Sequence, residues 1–200
     1  ECQLTTGGSH GNMIALMIAR NKCIADIKEH GLYNSKKLVA FLSAEAHYSF
    51  EKAANILGIG TSSLVNVPTD SGGRMDIDAL SNLIQQEQDD GQIPFFIAAT
   101  AGTTVRGAFD PIAELRSIAD YCSAWLHVDG AWGGSVILSS QREEYLHGIQ
   151  QADSFVWDAH KMMGLSLMCS MLMVREKGYF DTTCNLGDTS YIFHDPDECR

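Results

Sequence analysis

Residues 94–129 read PFFIAATAGTTVRGAFDPIAELRSIADYCSAWLHVD, and their order decides the fold. An apolar run at 94–100 with aromatic and β-branched content predicts a strand. Asp110-Pro111 offers an N-cap followed by proline at the first helical position, a helix-period segment covers 111–122, and a second strand-like run covers 124–129. Working outward, strand candidates at 2–6, 38–43, 63–67, 154–157 and 169–174 alternate with helix candidates at 9–29, 49–57, 77–89 and 142–148. That alternation predicts an α/β sheet with helices on both faces. Gly31 and Gly58 stand where helices should stop, and Thr69-Asp70-Ser71-Gly72-Gly73 reads as a loop. No internal repeat or linker divides the chain.

A length of 200 residues, 45% hydrophobic and 20% charged, suits one globular domain with a substantial core. The net charge of -11, without a basic patch, argues against a nucleic-acid partner, so an anionic ligand must be held by local donors. No apolar run is long enough to span a membrane and no signal-peptide pattern is present, so no membrane partner is expected. The chain starts at Glu1 and runs directly into a strand-like segment, which reads as an excerpt from a longer protein. Cys2, Cys23, Cys122, Cys169, Cys184 and Cys199 are scattered without a CxxC pair. They are expected to be reduced thiols in a cytoplasmic protein, and no metal site is expected.

Ligands of open α/β sheets bind beyond the carboxyl ends of the strands, so the residues after each strand matter most. Trp157-Asp158-Ala159-His160-Lys161-Met162-Met163-Gly164 sets a lysine just past a strand. Lys161 is read either as a surface lysine or as a Schiff-base former on a carbonyl cofactor such as pyridoxal phosphate. Thr6-Gly7-Gly8-Ser9-His10-Gly11-Asn12 joins the first strand to the first helix, and is either a steric turn or a phosphate cradle of backbone N–H groups with the Ser9 hydroxyl. His127-Val128-Asp129-Gly130-Ala131 ends a strand in a carboxylate. Asp129 either caps a turn or keeps a pyridine nitrogen protonated, with Ala131 leaving room for a flat ring. Ala99-Thr100-Ala101-Gly102-Thr103-Thr104 is a hydroxyl-rich turn that either only reverses the chain or lines a cofactor pocket. His47, in Ala46-His47-Tyr48-Ser49, is either an ordinary packed histidine or an imidazole stacked on an aromatic cofactor.

Taken in order, Thr5-Thr6-Gly7-Gly8-Ser9 with Asn12, Ala46-His47-Tyr48-Ser49, Ala99–Thr104 with Phe109-Asp110-Pro111, His127-Val128-Asp129 and Trp157–Lys161 resemble the group II pyridoxal-phosphate-dependent amino acid decarboxylases. The glutamate, cysteine sulfinate, aromatic amino acid and diaminobutyrate decarboxylases belong to that family, and the likeness runs over essentially the whole chain. It implies the aspartate-aminotransferase-type fold (fold type I), whose large domain is a seven-stranded, mostly parallel sheet. Residues 1–200 would be that cofactor-binding domain, without the family's N-terminal segment and C-terminal small domain.

The resemblance also implies roles. Lys161 would hold pyridoxal 5'-phosphate as an internal aldimine, and His160 would contact the phosphate or the substrate. Asp129 would pair with the pyridine nitrogen, Ala131 and His47 would cover the two ring faces, Gly8 and Ser9 would cradle the phosphate, and Thr104 would sit near the ring's phenolic oxygen. The implied reaction takes an L-amino acid to its amine and carbon dioxide through an external aldimine and a quinonoid. In several family members a tyrosine on a loop after the lysine returns the proton, and Tyr191 occupies a similar position. Members are homodimers with the site at the interface.

This sequence departs from the family at His10 and Gly11, and at Gly130, where alanine is usual. Met168-Cys169-Ser170-Met171 is similar to the stretch after the lysine in glutamate and cysteine sulfinate decarboxylases, but is read as strand core rather than as a sign of the substrate. Two other readings stay open: another reaction on the same cofactor, such as transamination or carbon-carbon cleavage, and a catalytically silent cofactor-binding fragment.

Overall fold

The computed structural model describes residues 1–33 and 35–184. Seven strands, β1 (Cys2–Thr5), β2 (Leu38–Ser43), β3 (Leu64–Val67), β4 (Ile93–Thr100), β5 (Trp125–Asp129), β6 (Ser154–Asp158) and β7 (Ser170–Val174), form one sheet in the order β1-β7-β6-β5-β4-β2-β3. β7 runs antiparallel to both of its neighbours, and every other neighbouring pair is parallel. All seven expected strands are present, with ends within one residue of the sequence reading.

β2 and β5 are buried at every position, as strands covered on both faces must be. The period-two geometry of a strand then sends alternate side chains to two separate cores. Val39, Phe41, Ile97, Ala99, Leu126 and Val128 meet α4 (Ile77–Asp89) and α5 (Ile112–Cys122) through Leu80, Ile84, Leu115 and Ala119. Leu38, Ala40, Leu42, Phe96, Ala98 and Trp125 meet α1 (Gly8–Cys23) and α3 (Ser49–Ile56) through Ile14, Ala15, Ile18, Phe50 and Ala53. α1 lies close on the sheet because Gly11 has no side chain: a Cβ there would come within 2.4 Å of Val156 on β6.

Three local expectations change. The helix expected over 9–29 ends at Cys23, where Ile24 turns extended and packs on the α1 core; a four-residue helix, α2 (Ile27–His30), follows. Tertiary packing of one apolar side chain overrides a helical pattern that continues past it. The helix expected over 142–148 is a 3-10 turn at Glu143–Leu146, in which only Leu146 is buried, so it lacks the apolar stripe a helix would need. Asp110 does not cap α5, whose N-cap residue is Pro111 without a side-chain hydrogen bond. Its two carboxylate oxygens instead accept from the N–H groups of Met75 and Thr100, each at 2.7 Å. Gly31 and Gly58 do follow helix ends, both at positive φ.

Candidate active site

The parallel strands deliver their carboxyl ends to one edge. Thr100 at the end of β4 lies in register with Asp129 at the end of β5, and Asp158 ends β6 beyond it. The start of α1 enters over these ends. Gly8 is packed so closely that a Cβ would stand 2.8 Å from the Cβ of Ala131 and 3.0 Å from Asp158 Oδ2. Any side chain at Gly8 would fill the space between the helix start and the strand ends.

Asp129 is buried, and both oxygens are held: Asn12 Nδ2 donates to Oδ2 at 2.8 Å and the Ala131 N–H donates to Oδ1 at 3.0 Å. Burial pushes its carboxyl above the usual carboxylate range, opposed by those two hydrogen bonds and by the charges of Lys161 and His47. His47, half-buried, is moved below the ordinary imidazole value chiefly by burial, with the Asp129 charge acting against it and Lys161 with it. Asp129, His47 and Lys161 therefore share one electrostatic environment. His47 Nδ1 accepts from the N–H of Ser49 at 3.2 Å, which holds that edge of the ring.

Lys161 follows β6 by three residues, and its Nζ lies 3.1 Å from Asp158 Oδ2. The same oxygen accepts from the Gly8 N–H at 3.1 Å, while Oδ1 accepts from Ser170 Oγ at 2.5 Å. His160 presents Nε2 to Asp158 at 3.8 Å, and its Nδ1 sits 2.9 Å from the carbonyl oxygen of Cys169. Asp158 is thus the hub that joins the helix start, the lysine and β7.

The structure brings together Gly8, Ala131, Asp129, His47, His160 and Lys161. Ser9 is exposed at the first turn of α1, and Thr104 is exposed in the turn after β4. Its neighbour Thr103 is buried, with Oγ1 accepting from the Ala108 N–H at 3.1 Å. Tyr191 lies outside the described residues. Among the described residues no group of His, Cys, Asp and Glu side chains is arranged to hold a metal ion, and no helix is long and apolar enough to cross a membrane.

Asp158, Asn12 and His127 fall within the motifs quoted above without a role of their own, and Ser154 was not singled out from the sequence. The carboxylate-at-a-strand-end signal that marks Asp129 applies equally to Asp158.

The donor set fits pyridoxal phosphate. Thr100 Oγ1, in register with Asp129, is buried and has no hydrogen-bond partner among the described residues, which leaves a polar atom for a ligand to meet. The start of a 16-residue helix faces the cradle beside Gly8 and favours an anion, and a held carboxylate and a primary amine converge beside it.

Comparison with known proteins points the same way. The family model described as the pyridoxal-dependent decarboxylase conserved domain matches residues 2–199. The acidic amino acid decarboxylase GADL1 of Homo sapiens is 46% identical over 187 residues, covering 94% of this chain and 36% of that protein. The L-aspartate decarboxylase dtxS4 of Metarhizium robertsii is 41% identical over 198 residues, covering 99% of this chain and 38% of that protein. The crystal structure of mouse CSAD in apo form superposes with a TM-score of 0.92 at 39% identity, covering 98% of this chain and 41% of that one. The chain therefore spans a little over a third of the length of the curated relatives it matches.

Proposed function

This chain belongs to the pyridoxal-dependent decarboxylase family and has its fold type I sheet, and on that footing we propose that it forms the cofactor-binding large domain of an L-amino acid decarboxylase. The observation that carries the reading is the convergence of a lysine, a buried ring-nitrogen carboxylate and a helix-start cradle at one sheet edge. Acidic amino acids are the proposed substrate class, supported by two relatives, one an acidic amino acid decarboxylase and the other an L-aspartate decarboxylase.

Bound pyridoxal phosphate supplies an aldehyde that condenses with primary amines and a ring that withdraws electrons from the substrate's α-carbon. Lys161 provides the amine that holds it, and Asp158 sets the direction of that amine. Asp129, its two oxygens held by Asn12 and Ala131, would face the ring nitrogen and as a carboxylate keep a proton there. His47 and Ala131 would cover the two faces of the ring and exclude water there. Gly8 and Ser9, at the start of α1, take the phosphate, with Thr104 toward the phenolic oxygen and His160 beside the substrate. Tyr191 would be the group that returns a proton to the α-carbon.

The proposal includes a homodimer with the site at its interface, in the cytoplasm. The dimer is supported by exposed apolar side chains in the segment that follows Lys161: Leu165, Leu167 and Met168 are 52%, 80% and 64% exposed, respectively. The five free cysteines of the described residues suit a reducing compartment. The test is carbon dioxide release by the full-length protein from acidic, aromatic and aliphatic L-amino acids. Release from the acidic group with equimolar amine is expected; conversion to the 2-oxo acid without carbon dioxide would favour transamination and overturn the reading.

A further inference from the structure

A chain of buried hydrogen bonds ends on Asp129, and every proton in it can be assigned. The indole Nε1 of Trp125 is only a donor and lies 2.7 Å from Ser154 Oγ, so that oxygen accepts. The serine's own proton then goes to His127 Nδ1, 2.8 Å away on the register partner strand. An accepting Nδ1 puts the imidazole proton on Nε2, which lies 2.9 Å from Asn12 Oδ1. Asn12 is left to present its NH2 group to Asp129 Oδ2 and to Ser49 Oγ, at 2.8 and 3.0 Å. Read from the other end the result is the same: a carboxylate can only accept, so Asn12 must turn its nitrogen toward Asp129 and its oxygen toward a donor.

The imidazole has little freedom to do otherwise. His127 is completely buried, Asn12 is 1% and Ser154 is 2% exposed, and burial pushes the imidazole down to about 3, so the ring is neutral. Phe96 stacks against it at 5.7 Å and 25°, and Phe50 meets it edge-on at 6.0 Å.

We propose that His127 is a positioning residue: its Nε2–H locks the Asn12 amide in the one orientation that donates to Asp129, and so sets the hold of Asp129 on the cofactor's ring nitrogen. This rests on the reading of Asp129 as the ring-nitrogen partner. Hydrogen bonds that all donate in one direction polarise one another in a dry interior, so the last donor in the row is strengthened by those behind it.

The experiment uses full-length, cofactor-loaded protein labelled with 15N at histidine, and separately with 15N at the pyridine nitrogen. His127 is expected to show the neutral Nε2–H tautomer near neutral pH; an Nδ1–H tautomer overturns the relay. His127→Phe is expected to lower kcat about tenfold with KM changed less than about twofold, and to move the pyridine 15N signal. His127→Gln, whose amide nitrogen can still donate to Asn12, is expected to recover most of both. An unmoved ring-nitrogen signal in His127→Phe, or equal losses of kcat and thermal midpoint in the two variants, reduces His127 to a packing residue and overturns the proposal. If Asp129→Ala leaves the ring-nitrogen signal where it was, the pairing beneath the inference has failed, an outcome the tautomer spectrum distinguishes from failure of the relay.

Discussion

Lys161 Nζ and Asp158 Oδ2 stand 3.1 Å apart across one turn of chain, the lysine partly exposed and the carboxylate almost wholly buried. A buried carboxylate is stable only if its oxygens are satisfied, and Asp158 meets that condition with donors from three segments: Gly8, Lys161 and Ser170. The arrangement ties the amine to the start of α1. It also gives the N–H of Gly8 a partner within the protein.

Asp158→Ala removes one acceptor set and leaves the buried Gly8 N–H without a partner, while the Ser170 hydroxyl keeps only its contact with Thr5 Oγ1 at 2.8 Å. Unfolding free energy is expected to fall by about 3 kcal/mol. Asp158→Asn keeps one acceptor oxygen and should lose clearly less. Denaturant titration of the three proteins checks the order.

Gly130, the residue after Asp129, sits where packing leaves no room for a side chain. A Cβ at that position would lie 2.3 Å from Cε2 of Phe155 and 3.1 Å from the Cα of Gly134. Gly130→Ala is expected to cost about 1–3 kcal/mol by overpacking. Adding Phe155→Leu should recover part of that loss, so a double-mutant cycle will show coupling between the two sites.

Acid sensitivity follows from His127. Its imidazole sits at about 3 in the folded protein against an ordinary 6.5, so the unfolded chain binds a proton that the folded one refuses. That contribution is complete above 6.5 and is lost as pH falls from 6.5 toward 3. Asp110 acts in the opposite sense: burial raises it to about 6 from 3.8, so its contribution is lost as pH rises across that window. His127→Gln removes only the first effect. The drop in stability between about pH 7 and about pH 5 should shrink by on the order of 2 kcal/mol, read from unfolding titrations at the two pH values.

Tyr191→Phe tests the proton return. With the phenol gone, amine formation is expected to fall about a hundredfold while cofactor binding is kept. Unchanged amine formation, measured by chromatography of the products, would assign the proton to another group.

How far the sequence carries depends on whether a signal is local. The seven strands were legible because each is an apolar run closed by turn residues, and the placement of Lys161, Asp129 and Gly8 at one sheet edge because each ends or follows a strand. The end of α1 at Cys23 was not, since Ile24 continues the helical pattern and only its packing on the core draws it extended. Asp110 looked like a cap because Pro111 follows it, but its partners are Met75 and Thr100, 35 and 10 residues away. Asn12 meets Asp129 across 117 residues, and His127 meets Ser154 only because β5 and β6 are in register. No local pattern marks such pairs. The assignment of Tyr191 falls outside the described residues.

The central claim, that Lys161 anchors pyridoxal phosphate, is tested most directly by reducing the cofactor-loaded full-length protein with borohydride and mapping the modified peptide by mass spectrometry. The account predicts a phosphopyridoxyl group on Lys161, and loss of both that group and the visible absorbance of the bound cofactor in Lys161→Ala. A label on a different lysine, or the same absorbance in Lys161→Ala, would contradict it.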